Sequence, residues 1–371
     1  MLLFDHSEFS DHEQVCFFRD KASGLKAIVA VHSSALGNAL GGCRMWPYAS
    51  EEEALRDVLR LSKGMTYKCA AAGLDVGGGK SVIIGDPQSA KTPELMRAMG
   101  RCIDQLAGRY IAAEDSGINV SDIKHMREQT EFVAGFAERS NEWGRKISGD
   151  PSPATALGVF TGMKAALQYR YDKRDLDGVV VSVQGLGNVG YRLVELLVNA
   201  GARVKVHDLR KEQVARAVAQ FNVKAVSAEE IVCDHADVYA PCAMGATIND
   251  DSIDKLKVGV IAGAANNQLQ RDELALKLKD RDILYAPDYV INAGGIIDCA
   301  YTQQGRLAKE INDKIEHIGT TLMTIFQRAE ANGVSTLSLA NEIAEQRLAR
   351  PHCSRLSALP SSAEANALFS H

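Results

Sequence analysis

The chain has 371 residues and a formal net charge of −5, from 42 lysines and arginines against 47 acidic residues. This near-neutral balance gives no reason to expect a nucleic acid or an anionic membrane as a partner. A composition of 46% hydrophobic and 24% charged residues excludes the disordered and fibrous classes. At about 150 residues per domain, the length predicts two domains.

Targeting segments and metal sites are not indicated. No apolar run approaches the roughly 20 residues that cross a bilayer, and the N-terminus turns acidic after three apolar residues, unlike a signal peptide. The eight cysteines are scattered, without a C-x-x-C pair or a nearby histidine spacing. Most lie among apolar neighbours, as buried reduced thiols do. We therefore expect a soluble cytoplasmic protein without a metal.

The first part of the chain predicts a mixed α/β unit. Residues 13–19 and 25–32 are β-rich and flank a turn-like DKASG segment, which is typical of a hairpin. Capping patterns and apolar runs predict the elements that follow. These are a helix from about residue 51, a strand at 81–85, a helix at 92–106 and a strand at 110–113.

A boundary is predicted near residue 149, where the sequence GDPSP breaks any regular element before a helix. From Leu176 onwards strands and helices alternate, which predicts a parallel sheet with helices on both faces. Apolar residues at 311, 315, 318, 322 and 325 form one helical stripe that Gly333 ends. Another helix is predicted to about Ala349, followed by a loosely held tail.

The segment GLGNVG at 185–190 directly follows a predicted strand and opens a helix. In this context Gly185 permits a tight turn, Gly187 lets the backbone approach a pyrophosphate, and Gly190 allows close packing of helix and strand. The helix N-terminus would stabilise the phosphate charge. Asp208 follows at the end of the next strand, where a carboxylate binds the ribose 2′-hydroxyl and repels a 2′-phosphate. The pattern therefore predicts NAD as cofactor.

NADP is disfavoured rather than excluded, because Arg210 and Lys211 come close behind the acidic residue. Small and amide-bearing segments at 240–242, 263–267 and 292–295 follow later strands, where ligands bind beyond the carboxyl ends of a parallel sheet. Their residue types suit a flat nicotinamide and a small substrate. A purely structural loop is the alternative, because surface loops are generally polar.

Lys68 and Lys80 flank a predicted loop, residues 69–79, of small or apolar residues in which Asp75 is the single charged residue. Because a poorly solvated ammonium loses its proton more readily, Lys80 is a candidate general base or acid. Lys68, at a helix end, is a candidate cation for an anionic substrate group. Surface lysines are the alternative. A phosphate-binding P-loop is not expected, because position 74 is leucine and Ser81 precedes a strand.

Two further features suggest anion binding and catalysis. The backbone N–H groups of Gly41 and Gly42 could bind a carboxylate. Asp115 ends a predicted strand, where catalytic carboxylates are often displayed. From its residue type alone, a helix cap or a salt bridge is the commoner role for this aspartate.

Taken together, these motifs resemble the glutamate/leucine/phenylalanine/valine dehydrogenase family. The resemblance runs in family order from about residue 12 to about residue 348. It is carried by the segments at 40–47, 63–87, 110–117, 148–159, 183–190, 261–269 and 285–298. It implies an α/β fold of two domains with the cleft between them, and a homo-oligomer. The implied units are a substrate and catalytic domain (1–148), a Rossmann NAD-binding domain (149–330), and a C-terminal helix and tail (331–371) that pack back on the first domain.

The resemblance also implies roles for individual residues. Lys68, with the Gly41 and Gly42 backbone, would hold the substrate carboxylate. Lys80 would be the general base that activates water, and Asp115 would move protons to and from the amino group. The remaining roles are orientation of the substrate amine by Asn267 and cofactor contacts by Thr155, Asn188 and Val189.

The implied reaction is reversible, NAD-dependent oxidative deamination of an L-amino acid to a 2-oxo acid and ammonia. Glutamate is not expected as the main substrate, because Leu40 stands where glutamate dehydrogenases carry a lysine for the distal carboxylate. By the pattern of the leucine-specific members, Leu40, Ala113, Ile296 and Cys299 would line an apolar pocket for a branched aliphatic chain. Cys299 is smaller than the valine typical there, so an aromatic substrate such as phenylalanine or tryptophan stays open.

Two other functions are weaker alternatives. A catalytically silent NAD-binding regulator on the same fold would lack at least one of Lys68, Lys80 and Asp115, and all three are present. A 2-hydroxy-acid dehydrogenase would need a histidine base. The histidines of the alternating strand and helix region at 176–298 are His207 and His235, and neither lies in a motif of that kind.

Overall fold

The computed structural model describes residues 3–136, 139–140, 146–147, 150–243 and 245–350. The boundary predicted near residue 149 and the tail predicted beyond Pro351 lie outside these residues. Within the described ranges, no helix combines the length and the apolar character that crossing a membrane requires.

The N-terminal unit is built on a five-stranded mixed sheet of order β1-β2-β4-β3-β5. Its strands are β1 (Gln14–Asp20), β2 (Leu25–Ser33), β3 (Ala39–Trp46), β4 (Gly77–Ile84) and β5 (Tyr110–Ala113). The first two strands form the predicted antiparallel hairpin, and β4 pairs antiparallel with β2. In contrast, β3 runs parallel to both β4 and β5. This pairing places Gly41 and Gly42 opposite Ala112 and Ala113, at the edge where the site forms.

Three helices cover this sheet, and side-chain caps define where they begin. They are α1 (Glu51–Ala71), α2 (Pro93–Asp104) and α3 (Val120–Arg127). Ser50 accepts the N–H of Glu53 at 3.1 Å, and the Glu53 carboxylate accepts the N–H of Ala49 at 2.7 Å. Thr92 caps α2 through the N–H of Leu95 at 3.2 Å. The helix starts predicted from the capping patterns are therefore confirmed.

One expectation for this unit is corrected. The segment before Lys80 was expected to be a loop, but Gly77, Gly78 and Gly79 belong to β4. A Cβ on Gly78 would lie 2.1 Å from the backbone nitrogen of Thr66 in α1. Helix and strand backbones are thus in direct contact here, which requires glycine and brings Lys80 into the buried sheet.

The C-terminal unit is a six-stranded, all-parallel sheet of order β10-β9-β8-β11-β12-β13. A short ladder of β6 (Arg139–Ser140) and β7 (Lys146–Ile147) and the helix α4 (Ser152–Tyr171) precede it. Its elements are β8 (Val180–Gln184), α5 (Asn188–Asn199), β9 (Arg203–His207), α6 (Lys211–Phe221), β10 (Lys224–Ala225), α7 (Glu230–Cys233), β11 (Val238–Pro241), β12 (Val260–Ile261), α8 (Leu274–Asp280), β13 (Leu284–Tyr285) and α9 (Asp288–Ile291). This is the Rossmann strand order, so the predicted two-domain α/β fold is confirmed.

Three long helices follow the parallel sheet and return to the first unit. They are α10 (Gly294–Gln303), α11 (Ala308–Asn332) and α12 (Thr336–Leu348), and two short 3₁₀ helices lie at Leu3–Asp5 and Ile253–Lys255. The predicted apolar stripe of α11 is buried, and Gly333 ends the helix with φ +68°. On α12, Glu345 accepts the hydroxyl of Tyr67 at 3.0 Å, so this helix contacts α1.

Candidate active site

The glycine loop between β8 and α5 has the geometry of a phosphate cradle. Gly185 has φ +103°, a left-handed conformation that favours glycine, and a Cβ there would lie 2.6 Å from the nitrogen of Ala243. A Cβ on Gly190 would lie 2.0 Å from the carbonyl oxygen of Gly185. Gly187, in contrast, faces open space, and no side chain caps the N-terminus of α5. Free N–H groups and an open approach fit the pyrophosphate of a dinucleotide.

Asp208 lies beside this loop, just after β9. Its Oδ2 accepts the N–H of Leu186 at 2.6 Å, and its Oδ1 accepts the N–H of Arg210 at 2.8 Å. Partial burial opposes ionisation, but these hydrogen bonds outweigh it and hold the pKa of Asp208 below its ordinary value. A carboxylate is therefore fixed where the ribose of a bound dinucleotide would be expected.

A cleft of about 800 Å³ separates the two sheets. It brings together most of the residues predicted for catalysis and for substrate and cofactor binding. Those that line it are Gly42, Lys68, Lys80, Ala113, Asp115, Thr155, Asn188, Val189, Ile296 and Cys299. Those that do not line it are Leu40, Gly41, Asn267, Gly185, Gly187, Gly190 and Asp208.

Lys80 and Asp115 form an ion pair at the floor of the cleft. Lys80 is 5% exposed and donates from Nζ to Oδ2 of Asp115. The Nε of Arg44 lies 3.4 Å from the same oxygen. Burial opposes ionisation of the aspartate, but the charges of Lys80 and Arg44 prevail and hold the pKa of Asp115 well below its usual range. The site thus contains a buried carboxylate whose ionised form is stabilised by two neighbouring cations.

Arg44 was not assigned a role from the sequence, although it lies two residues after the glycine pair on β3. Its Nη1 donates to Asp57 at 3.0 Å, and the hydroxyl of Tyr48 donates to the same carboxylate oxygen at 2.6 Å. Burial opposes the charge on the guanidinium, but Asp115 and Asp57 raise the pKa of Arg44 nonetheless. Arg44 therefore connects the carboxylate of Asp115 to α1 and fixes its position.

Lys68 reaches the cleft from the C-terminal end of α1. Its Nζ donates to Oδ1 of Asn266 at 3.0 Å, and the buried Asn292 donates to the same oxygen at 2.8 Å. Burial lowers the pKa of Lys68 to about 8, and the negative charge of Asp288 opposes part of that shift. A cation whose charge is only partly compensated lies where an anionic substrate group would enter.

The asparagine that contacts Lys68 is Asn266, whereas the sequence prediction named its neighbour, Asn267. Asn267 is exposed, has φ +50° and accepts the N–H of Ala246 through its carbonyl at 2.6 Å. Of these two neighbours, Asn266 lines the cleft and Asn267 does not. Gly41 also lies behind the cleft, where a Cβ would stand 1.8 Å from the carbonyl oxygen of Gly79.

Apolar side chains form another wall of the cleft. Ala113, Ile296 and Cys299 line it as placed by the prediction, and Met65 joins them from α1. Leu40 has no exposed surface and belongs to the same apolar cluster as the other three predicted pocket residues. This cluster is continuous with the core of the parallel sheet.

Glu114 is a second acid in the cleft that the sequence reasoning did not single out. It lies between Ala113 and Asp115 and lines the same space. Burial, reinforced by the negative charge of Asp150, raises the pKa of Glu114 to about 7. The pKa of Glu114 is therefore raised while that of its neighbour Asp115 is lowered. Such a separation between two carboxyl groups is typical of active sites.

A Rossmann sheet with a glycine loop, facing a lysine and aspartate pair across a cleft, defines a dinucleotide-binding α/β protein. Residues 12–132 match the family model described as the Glu/Leu/Phe/Val dehydrogenase dimerisation domain. Residues 147–206 and 205–355 match the model described as Glutamate/Leucine/Phenylalanine/Valine dehydrogenase. The chain therefore belongs to this dehydrogenase family. It is an amino-acid dehydrogenase, an oxidoreductase that acts on CH–NH₂ groups and depends on a nicotinamide cofactor.

Relatives with different substrates in their names are similarly close. The chain is 49% identical to leucine dehydrogenase of Bacillus cereus over 347 residues, covering 94% of this chain and 93% of that protein. It is 47% identical to phenylalanine dehydrogenase of Caldalkalibacillus thermarum, covering 92% of each. The L-tryptophan dehydrogenase structure from Nostoc punctiforme has a TM-score of 0.76 and 40% identity, covering 91% and 96% of the two chains. The resemblance to the family and to leucine dehydrogenase is confirmed, while the family alone does not define the substrate.

Proposed function

We propose that the protein catalyses the reversible, NAD-dependent oxidative deamination of branched-chain L-amino acids to 2-oxo acids and ammonia. The observation that carries this proposal is the arrangement of Lys68, Lys80 and Asp115 around one cleft beside an apolar wall. Each group has a charge or an environment suited to one part of an amino acid.

Substrate binding is assigned to Lys68, to the backbone N–H groups at Gly41 and Gly42, and to Asn266. The ammonium of Lys68 would exchange its bond to Asn266 for the substrate carboxylate. The freed amide oxygen of Asn266 could then accept a hydrogen bond from the substrate amine. Asn292 keeps that oxygen facing the cleft by donating to it. The role predicted for Asn267 is therefore better filled by Asn266.

Lys80 and Asp115 carry the proton transfers. When bound, the nicotinamide supplies the acceptor for the hydride that leaves the substrate Cα. Lys80, as the free base, would remove a proton from the water that attacks this carbon, and Asp115 would move protons to and from the amino group. The existing ion pair lets Lys80 pass a proton to Asp115 directly. General acid–base catalysis of this kind contributes about 10²–10⁴-fold to the rate.

NAD is proposed over NADP because of Asp208. A fixed carboxylate beside the glycine loop repels a 2′-phosphate, and its low pKa keeps it charged. Thr155, Asn188 and Val189 line the cleft at the end near the loop and are proposed to contact the cofactor.

A branched aliphatic substrate fits the apolar wall. Ala113, Ile296 and Cys299 carry no group that could pair with a distal carboxylate, and an unpaired buried carboxylate is strongly disfavoured. A pocket of this type separates substrates that differ by one methylene by only about 1–3 kcal/mol. Leucine, isoleucine and valine should therefore all be turned over.

The domain limits and the assembly are part of the proposal. The substrate and catalytic domain is assigned to residues 1–148, the Rossmann domain to 149–330, and the returning C-terminal segment to 331–371. The contact between α12 and α1 supports the last assignment. A cytoplasmic homo-oligomer is proposed because the first matched family model is described as a dimerisation domain.

The decisive experiment mixes the purified protein with NAD⁺ and one L-amino acid at a time, and follows NADH absorbance. The panel is leucine, isoleucine, valine, phenylalanine, tryptophan, alanine and glutamate, with NADP⁺ in parallel. Turnover of the branched-chain set supports the proposal. Activity with aromatic amino acids alone would keep the chemistry and overturn the pocket assignment. Lys80→Ala should bind NADH yet lose turnover, whereas a silent regulator would show no turnover in either form.

A further inference from the structure

A second, basic pocket lies on another face of the molecule, between the C-terminal end of α1 and the helices α11 and α12. It has a volume of about 340 Å³ and shares no lining residue with the active-site cleft. The described residues that line it include three arginines and no acidic residue. The arginines are Arg328, Arg347 and Arg350.

Two cationic atoms lie close together above Gly73, at one edge of this pocket. Gly73 and Arg347 line the pocket itself, whereas Lys314 lines a small neighbouring cavity that shares Ala71, His317 and Thr321 with it. The Nζ of Lys314 and the Nη1 of Arg347 each lie 3.0 Å from the point where a Cβ on Gly73 would stand. They are therefore at most twice that distance apart. Gly73 has φ +68°, and the absence of a side chain there is what leaves room for both groups.

Neither of these two nitrogen atoms has a partner in the part of the chain that the structure describes. Arg347 makes its contacts through Nη2, to the carbonyl of Leu74 at 3.0 Å and to Asp75 at 2.8 Å. Lys314 makes no hydrogen bond or ion pair there. Asp75 is largely exposed, so its negative charge is well screened and only partly offsets the cations. Burial and the charge of Arg347 lower the pKa of Lys314.

Like charges held together without a counterion raise the free energy of the empty pocket, and a bound anion would remove that repulsion. The Nη1 of Arg347 and the Nζ of Lys314 lie on either side of one point, which suits two oxygens of a single tetrahedral oxyanion. The volume is at the lower end of the range in which small molecules bind. Arg328, held 3.8 Å from Glu342, lines the rest of the space.

We propose that this pocket binds a small phosphate-bearing metabolite, with the phosphate between Lys314 and Arg347. The pocket joins α1 to α12, and α1 carries Lys68 into the active-site cleft five residues before Gly73. An anion bound here would hold α12 against α1 and change the KM for the amino acid. That kinetic consequence rests on the proposed function, whereas the binding itself does not.

The test measures binding of inorganic phosphate to the full-length protein by calorimetry, with sodium chloride at matched ionic strength as the reference. Saturable binding is expected, and Lys314→Gln should raise the Kd by about tenfold or more, because a charge-assisted hydrogen bond is lost. Lys309→Gln, on an exposed face of the same helix, should leave the Kd unchanged. Should Lys314→Gln fail to fold, Arg328→Gln tests the same pocket.

Two results would overturn the proposal. One is the absence of saturable binding by the wild-type protein. The other is binding that Lys314→Gln does not weaken and that saturating NADH abolishes, which would place the phosphate in the cofactor site. Binding that depends on Lys314 in a protein without dehydrogenase activity would support the pocket while refuting the proposed function.

Discussion

Replacing Arg44 with methionine should destabilise the protein far more than an ordinary surface substitution. The guanidinium is 17% exposed and holds two carboxylates, at 3.0 Å to Asp57 and 3.4 Å to Asp115. Methionine has a similar length but leaves both acids without this partner. Removing one member of a buried ion pair costs about 3–5 kcal/mol, because an uncompensated charge stays buried. We expect Arg44→Met to lower the free energy of unfolding by that amount at pH 7.

The assay is urea unfolding at a fixed protein concentration, followed by circular dichroism. Arg60→Met is the matched control, because Arg60 lies on α1 three residues after Asp57, is 43% exposed and has its ion-pair partner, Glu8, at 3.9 Å. That variant should change stability by no more than about 0.5 kcal/mol. Adding Asp57→Asn to Arg44→Met should recover part of the loss, because one unpaired charge disappears.

The pH dependence provides a second check on the same reasoning. The pKa of Asp115 is depressed in the folded protein, so its contribution to stability is present above the unfolded pKa and is lost as the pH falls below it. The difference between wild type and Arg44→Met should therefore shrink below about pH 4, near the unfolded aspartate pKa. A loss under about 1 kcal/mol at pH 7, or one equal to that of the Arg60 control, would refute a central role for this guanidinium.

Three further predictions concern the cofactor and the substrate. Gly190→Ala should abolish NADH binding in fluorescence titrations, because the new Cβ would lie 2.0 Å from a carbonyl oxygen. Gly64→Ala is the control, because a Cβ on Gly64 would meet no atom within 4 Å, and this variant should stabilise α1 by about 1 kcal/mol. Asp208→Ser should raise the ratio of NADP⁺ to NAD⁺ activity in steady-state assays, and an unchanged ratio would contradict the assignment. Because the pKa of Lys68 is lowered to about 8, the KM for the amino acid should rise above that pH. Lys68→Arg should remove the rise, since a guanidinium keeps its charge.

Sequence patterns predicted the parts of the fold that are determined by interactions between residues close together in the chain. The caps at Ser50 and Thr92 mark the starts of α1 and α2 because a side-chain oxygen satisfies a free N–H group there. The glycine loop and the αL stop at Gly333 have the same local character. In contrast, β3 and the glycine start of β4 carry weak strand propensity. Their conformation comes from the packing of α1 on the sheet, which a single sequence does not show.

In the candidate site, too, the residues with a local sequence signal were predicted and those that depend on distant contacts were not. Lys68 and Lys80 were singled out because their sequence neighbours are unusual, whereas the role predicted for Asp115 rests mainly on the family resemblance. Arg44 has no such local signal, since its importance comes from Asp57, on another element, and from Asp115, two residues beyond the neighbouring strand. The choice between Asn266 and Asn267 depends on the local backbone path, in which Asn267 has φ +50°, and the sequence does not show that path.

The packing of α1 on β4 also limits how the cleft can close. The backbone of Thr66 lies in contact with Gly78, two residues on each side from Lys68 and Lys80. The backbones that carry the two lysines cannot move closer together without a clash, because close-packed interiors transmit such shifts rather than absorb them. This wall of the cleft is therefore expected to move little. We expect closure around a substrate to come from the opposite wall, where Asn266 contacts Lys68 through a single hydrogen bond that a carboxylate can replace.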